Sequence, residues 1–219
     1  MTWHHCASPM ATKVPVWLST ALLLVVSTAA AGRSIGDCPI TPGALCVEAN
    51  LAGADLRGVD LSHANLTKAD LGAARLQNAK LVEAQLKGAN LQRAVLTNAD
   101  LRGADLERAT LVQADFGNAV LSGANMQDAR FHSGRLIAAR LAGAKMRGVG
   151  LVLANLDGAD LRRADLSASE LNGASLRNAD LRGAILHNAD LRGADLGGAR
   201  TDATTDFSGA DTRLCIGCP

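Results

Sequence analysis

The sequence predicts an all-β solenoid of short extended segments alternating with corners, and three observations carry that expectation. An apolar centre returns every five positions: thirty run without a break from Leu51 to Leu196, 26 of them Leu and the others Phe116, Met126, Phe131 and Met146. Two positions before the centre stands Ala in 26 repeats, with Val59, Gly134, Val149 and Ser169 the exceptions. Two positions after it stands Gly in 12 repeats and Asn in five. A step of five advances an α-helix by ~500°, so the apolar residues would spiral around it and make no stripe. On an uninterrupted strand the odd step would send successive leucines to opposite faces. A unit made of a short extended piece and a turn removes both objections. Residues two apart on the extended piece point the same way, so Ala and Leu both face inward. The residue between them, often acidic or amide (Asp55, Asn65, Asp100, Asp160), faces water. Gly and Asn tolerate the left-handed backbone of a corner.

In chain order, the first element is an export signal. Lys13 precedes an apolar run, Val14 to Val26, that ends in Ser27-Thr28-Ala29-Ala30-Ala31, a small-x-small cleavage site before Gly32. Residues 1–31 are expected to be a signal peptide, with Met10 a second candidate start. The protein is then periplasmic or secreted, with no stable membrane insertion. The alternative is an inner-membrane anchor left uncleaved, since Val14 to Ala31 is 18 residues, just enough to span.

Cleavage would remove Cys6 and leave Cys38, Cys46, Cys215 and Cys218. An even number in an oxidising compartment points to two disulfides. The Cys-Ile-Gly-Cys run also has the spacing of a redox dithiol or of half a zinc site. Neither a βαβ context nor a second nearby pair supports those readings, so the cysteines are read as staples. An open solenoid exposes backbone donors and acceptors at both ends. Residues 32–48, with Cys38, Pro39, Pro42 and Cys46, read as the N-terminal cap, and 201–219 as the C-terminal cap. The pattern frays at Thr201, and "TDFSGADT" resumes one residue out of frame around Phe207.

The A-(D/N)-L-x-G units of residues 49–200 resemble the pentapeptide repeat family. The resemblance implies four sides per coil and a right-handed quadrilateral β-helix with short caps. Twenty residues per coil then makes seven and a half coils, about 36 Å at the spacing of neighbouring strands. Each Leu stacks on the Leu one coil earlier, and full burial of each contributes roughly 1.5–3 kcal/mol. That explains a stable core with only 2% aromatic residues. Met126 and Met146, one coil apart, stack as flexible fillers. At such a length only the local pairs Cys38–Cys46 and Cys215–Cys218 can bridge within one chain, because bridged Cα atoms lie within about 7 Å.

Catalytic chemistry finds no footing. His63, His132 and His187 face outward more than two coils apart, and the register sets none of them beside a carboxylate or a serine. No two share a coil, so no metal site is expected. No phosphate-cradling glycine loop occurs, and no cofactor is implied. Calcium β-rolls use a nine-residue spacing, so the outward Asp and Asn are read as solvated faces.

One segment breaks the monotony. Between Ala129 and Asn155 there is no acidic residue, while Arg130, Arg135, Arg140, Lys145 and Arg147 all occur. The first four hold the outward position on four successive sides, a basic belt around one coil. The same stretch holds the off-pattern Phe131, His132, Gly134, Val149 and Gly150. The belt is the candidate contact for an anionic partner, an unknown protein or an anionic component of the envelope; a homo-oligomer is left open.

The leading functional expectation is a non-enzymatic exported scaffold or interaction module. The alternative that the resemblance implies is a DNA-mimicking modulator of DNA gyrase, of the quinolone-resistance type. The repeats carry 19 basic and 16 acidic residues, which is poor mimicry of DNA. The overall charge of +1 likewise implies no general attraction to nucleic acid.

Processing after Ala31 would remove Trp3 and Trp17 from a chain with no tyrosine. The mature protein is therefore expected to begin at Gly32 and to absorb almost nothing at 280 nm. Clear tryptophan emission from protein purified from the envelope would exclude the cleavage.

Overall fold

The computed structural model describes residues 34–219. The expected signal or anchor at 1–31, with Met10 and Cys6, lies outside them. No helix among the described residues is long and apolar enough to cross a membrane.

Every outward residue from Leu45 onward forms a parallel bridge with the residue 20 positions later, from Leu45 with Asn65 through Asp180 with Arg200. Five residues per side and twenty per coil make four walls, the right-handed quadrilateral β-helix. Beyond Arg200 the offset becomes 21, pairing Ile185 with Asp206, Asp190 with Asp211 and Asp195 with Ile216. One extra residue therefore sits in the corner at residues 201–205, after which the wall resumes. The bridged coils from Leu45 to Ile216 give a rod of about eight and a half coils, ~40 Å long.

The repeats place their backbone donors in one pattern, from which Gly183 departs by donating to the Asp202 carboxylate. The centre's N–H bonds to the next coil (Leu51 to the Asp70 carbonyl, 2.7 Å), and the outward residue's N–H bonds to the previous one (Asp70 to Ala49, 2.9 Å). The second turn residue reaches the next coil (Gly53 to Gly72, 2.8 Å), and the small inner residue closes the turn on the centre before it (Ala54 to Leu51, 3.0 Å). At all thirty turns the second residue has φ between +53° and +73°, which with the closing bond makes type II turns. Gly fits that conformation without strain, but Leu153 adopts it at φ 59° with 65% of its surface exposed.

The fifth donor, the N–H of the first turn residue, points away from the wall, and here the outward Asp and Asn do more than face water. Their Oδ1 atoms accept it two residues on: Ala52 donates to Asn50, Ser62 to Asp60, Gly117 to Asp115 and Gly197 to Asp195, at 2.8 to 3.2 Å. These Asx turns cap the corner. The solvated-face reading is thereby corrected to a structural role.

All thirty centres are buried, Met126 and Met146 in one column. At the N-terminal end, β1 (Ser34–Ile35) pairs antiparallel with β2 (Cys38–Pro39). A disulfide joins Cys38 to Cys46, Cα atoms 4.9 Å apart, and Cys46 fills a core position beneath Leu66. At the other end Phe207 packs on the core, and Cys215 and Cys218 are bonded with Cα atoms 5.8 Å apart.

The off-pattern residues around the belt explain one another. Phe116 and Phe131 lie with ring centroids 5.2 Å apart and planes inclined by 59°. A Cβ on Gly134 would stand only 2.1 Å from Phe131 Cε1, and a Cβ on Gly150 would meet His132 Cε1 at 2.6 Å. Neither glycine has a left-handed backbone, so space and not conformation selects them. These departures from the repeat are packing compensations.

Gly134→Ala is expected to destabilise the protein by about 1–3 kcal/mol, the usual effect of overpacking. Adding Phe131→Leu should recover part of the loss. A denaturation double-mutant cycle checks this, and additive effects would refute the coupling.

Candidate functional site

Six arginines on the rod are neutralised by an aspartate of their own repeat. Wherever the sequence reads Asp-Leu-Arg, the guanidinium folds back over the centre and grips the aspartate with two donors. Arg57 Nε donates to Asp55 Oδ1 at 2.8 Å and its Nη2 to Oδ2 at 2.6 Å. The same fork joins Arg102 to Asp100, Arg162 to Asp160, Arg182 to Asp180 and Arg192 to Asp190. Asp211 and Arg213 repeat it around Thr212. The aspartate thus caps the turn and binds the arginine at once. Contacts between coils range from 2.9 Å, for Arg177 Nη1 with Asp195 and Lys87 Nζ with Glu107, to 3.9 Å, for Arg162 Nε with Asp180.

The belt is the exception. Arg130, Arg135, Arg140 and Lys145 lie on four different walls, bridged to Thr110, Asp115, Val120 and Asn125 on one side and to Gly150, Asn155, Asp160 and Asp165 on the other. All are exposed, as is Arg147 across the Met146 centre from Lys145. Only Arg135 forms an ion pair among the described residues, with Asp115 at 3.5 Å. The belt cations ring the rod; they do not converge on one patch. Because Arg, Lys and Gly replace Asp or Asn at 130, 135, 140, 145 and 150, five consecutive corners also lack the Asx cap.

Two of the histidines do acquire neighbours, contrary to the expectation from sequence. His63 Nδ1 lies 3.4 Å from Glu83, one coil on. His187 Nδ1 lies 2.8 Å from Ser208 Oγ, with Asn188 Nδ2 3.0 Å from its Nε2. The inserted residue puts Ser208 at an offset of 21, where a strict count of 20 misses it. Both groups are exposed, and neither pair lines a groove. Among the described residues no cluster of His, Cys, Asp or Glu could hold a metal ion. The four cysteines are bonded in pairs at the two ends, far from the belt.

The family description "Pentapeptide repeats" matches the chain over residues 44–81, 69–108, 99–136, 135–169 and 159–198. None of the curated proteins compared with it matches. Among solved structures, the chain is similar to HetL, a pentapeptide repeat protein involved in heterocyst differentiation regulation from the cyanobacterium Nostoc sp. strain PCC 7120. The identity is 34% over 78% of this chain and 82% of HetL, with a TM-score of 0.45. QnrB1, a plasmid-mediated fluoroquinolone resistance protein, is 24% identical over 71% of this chain and 78% of its own, with a TM-score of 0.45. Rfr23 from the cyanobacterium Cyanothece 51142 is 32% identical over 53% of this chain and 63% of its own, with a TM-score of 0.28.

The forks set an acid limit on stability. The Arg182 hydrogen bonds hold the Asp180 carboxyl at about 2, below the ordinary 3.8. A pKa lower in the folded than in the unfolded chain stabilises the fold above pH ~4 and ceases to do so as the pH falls through about 2. Thermal melts at pH 5, 3.5 and 2 are expected to show a smaller acid loss for Asp180→Asn than for the parent. Parallel curves would contradict the assignment.

Proposed function

The chain belongs to the pentapeptide repeat family, and we propose that it is a non-enzymatic, exported interaction module that contacts an anionic partner through its basic coil. The observation that carries this reading is the double exception at 129–148. One coil has five cations, a single ion pair and no Asx-capped corner, while twelve of the fifteen described Lys and Arg outside it form an ion pair, six of them forked to their own aspartates. Replacing the outward Asp by Arg or Lys removes a turn cap and frees a charge together. A neutral total conceals that local positive potential.

The belt is presented on every wall, which suits a partner that surrounds the rod or meets it from any side. Export, expected from the Val14–Val26 run and Ala29–Ala31, places such a partner in the envelope or outside it. The gyrase reading requires an acidic, DNA-like surface, and the basic coil runs against it.

On an immobilised polyglutamate column, the purified protein is expected to elute at a salt concentration set by the belt, since screening acts over about 8–10 Å. A variant with Arg130, Arg135, Arg140 and Lys145 all changed to Gln should elute much earlier with an unchanged melting curve. Removing the same number of charges from the forks, at Arg57, Arg102, Arg192 and Arg213, should matter less. Equal shifts would reduce the belt to general surface charge.

A further inference from the structure

A groove of about 620 Å³ opens on the wall that carries Arg140, and it is lined by Ala142, Gly143, Arg162, Arg163, Arg182 and Gly183. Register builds it. Ala142, Arg162 and Arg182 follow successive centres on this wall, and Gly143, Arg163 and Gly183 follow them. Two glycines therefore clear the space on both axial sides of Arg163, whose Cγ lies 3.3 Å from where a Cβ on Gly183 would stand. The C-terminal end is closed by Asp202 and Thr204, from the one corner of the rod that holds an extra residue.

Four arginines, Arg162, Arg163, Arg182 and Arg200, stand here against three carboxylates, Asp160, Asp180 and Asp202. Asp180, with only 15% of its side chain exposed, is shared by three arginines: Arg182 at 2.6 Å, Arg200 at 3.6 Å and Arg162 at 3.9 Å. Arg163 forms no ion pair among the described residues. The Asp202 carboxylate accepts the N–H groups of Gly183 and Thr204 and the Thr204 hydroxyl, which fix its orientation and keep it ionised at the C-terminal end of the groove. The forks use Nε and Nη2 of Arg162 and Arg182 and leave the Nη1 of each without a partner among the described residues.

We propose that this groove is an oxyanion site for a phosphate-bearing ligand, with Arg162, Arg163 and Arg182 as its donors. Guanidinium groups match phosphate oxygens in charge and in the directions of their N–H bonds. Arg162 and Arg182 sit one coil apart, ~4.8 Å along the rod. With Arg163 beside them, the three present donors over a span that suits two linked phosphates better than one. A small free diphosphate and a phosphate polymer share this chemistry.

The molecule contains its own comparison. The forks Asp190–Arg192 and Asp211–Arg213 also stack one coil apart, but there the next residue is Leu214 and no third arginine joins them. The inference is independent of the belt, whose residues do not line the groove.

Calorimetric titration of the purified full chain with inorganic pyrophosphate, and separately with linear polyphosphate, tests the assignment. Saturable binding of pyrophosphate at one site per chain is expected, weakened about tenfold or more by Arg163→Gln, in line with the loss of a charged hydrogen bond. Arg163→Lys should fall between, and Arg213→Gln should bind as the parent does. The belt variant Arg130→Gln/Arg135→Gln/Lys145→Gln should also retain binding, which separates failure of this site from failure of the belt. Binding of polyphosphate alone, still lost in Arg163→Gln, assigns the groove to a polymer. No saturable binding of either probe, or equal losses in Arg163→Gln and Arg213→Gln, overturns the proposal.

Discussion

The rod depends on how five backbone N–H groups per repeat find acceptors. Four do so within the main chain, through three bonds to neighbouring coils and one that closes the turn. Buried donors without acceptors are costly, so this arrangement fixes both the wall and the corner. The closing bond requires a left-handed residue at every corner, and the sequence supplies one even where the side chain resists, as at Leu153. The fifth N–H faces outward, and there the side chain of Asp or Asn stands in for a missing backbone acceptor. The abundance of those residues at the outward position follows from that one unpaired donor.

Strict stacking also explains how the repeat tolerates exceptions. A large residue cannot be absorbed by a neighbouring loop, because every position is already in contact with the coils before and after it. Enlargement at one site is therefore matched by a glycine at another. Phe131 is matched by Gly134 and His132 by Gly150, and the Leu153 Cδ2 lies 2.8 Å from where a Cβ on Gly173 would stand. The partners are 3, 18 and 20 residues apart in sequence, distances that reflect the coil and not the chain. What looks like drift between residues 129 and 155 is thus a set of coupled substitutions in a close-packed interior.

The inward Ala and Leu and the left-handed corners were legible because each is a property of a single repeat; the late register slip showed as a break between repeats, and the four walls followed from the family resemblance. The Asx caps were less so: Asp and Asn at an exposed position look the same whether they cap a turn or only meet water. The His187–Ser208 neighbourhood was hidden for a different reason. It depends on adding a coil length to a position and then adding the inserted residue, and an error of one misses it. The arginine groove was harder still, since Ala142, Arg163, Gly183 and Thr204 come together only when four coils are laid side by side. The belt itself was plain as a run of cations, but its lack of ion pairs rests on what each wall places above and below.

These facts bear on where positive charge can act. Four walls divide the belt, so a partner resting against one wall meets one belt cation, or two where Arg147 accompanies Lys145, and whatever lies along the axis beside it. On the wall of Arg135 that axial neighbour is Asp115, which takes up the charge at 3.5 Å. On the wall of Arg130 the neighbours are Thr110 and the bare backbone of Gly150. On the wall of Arg140 the axial sequence runs on to Asp160, Asp180 and Arg200, with Arg162, Arg163 and Arg182 alongside. The four further arginines here, Arg162, Arg163, Arg182 and Arg200, would be neutral if each had its own aspartate; Arg163 has none and Asp180 serves three. Charge that is spread evenly around the rod in one coil therefore accumulates along a single wall in the next three, and it is on that wall that the rod's four-fold outline ceases to be electrostatically equivalent.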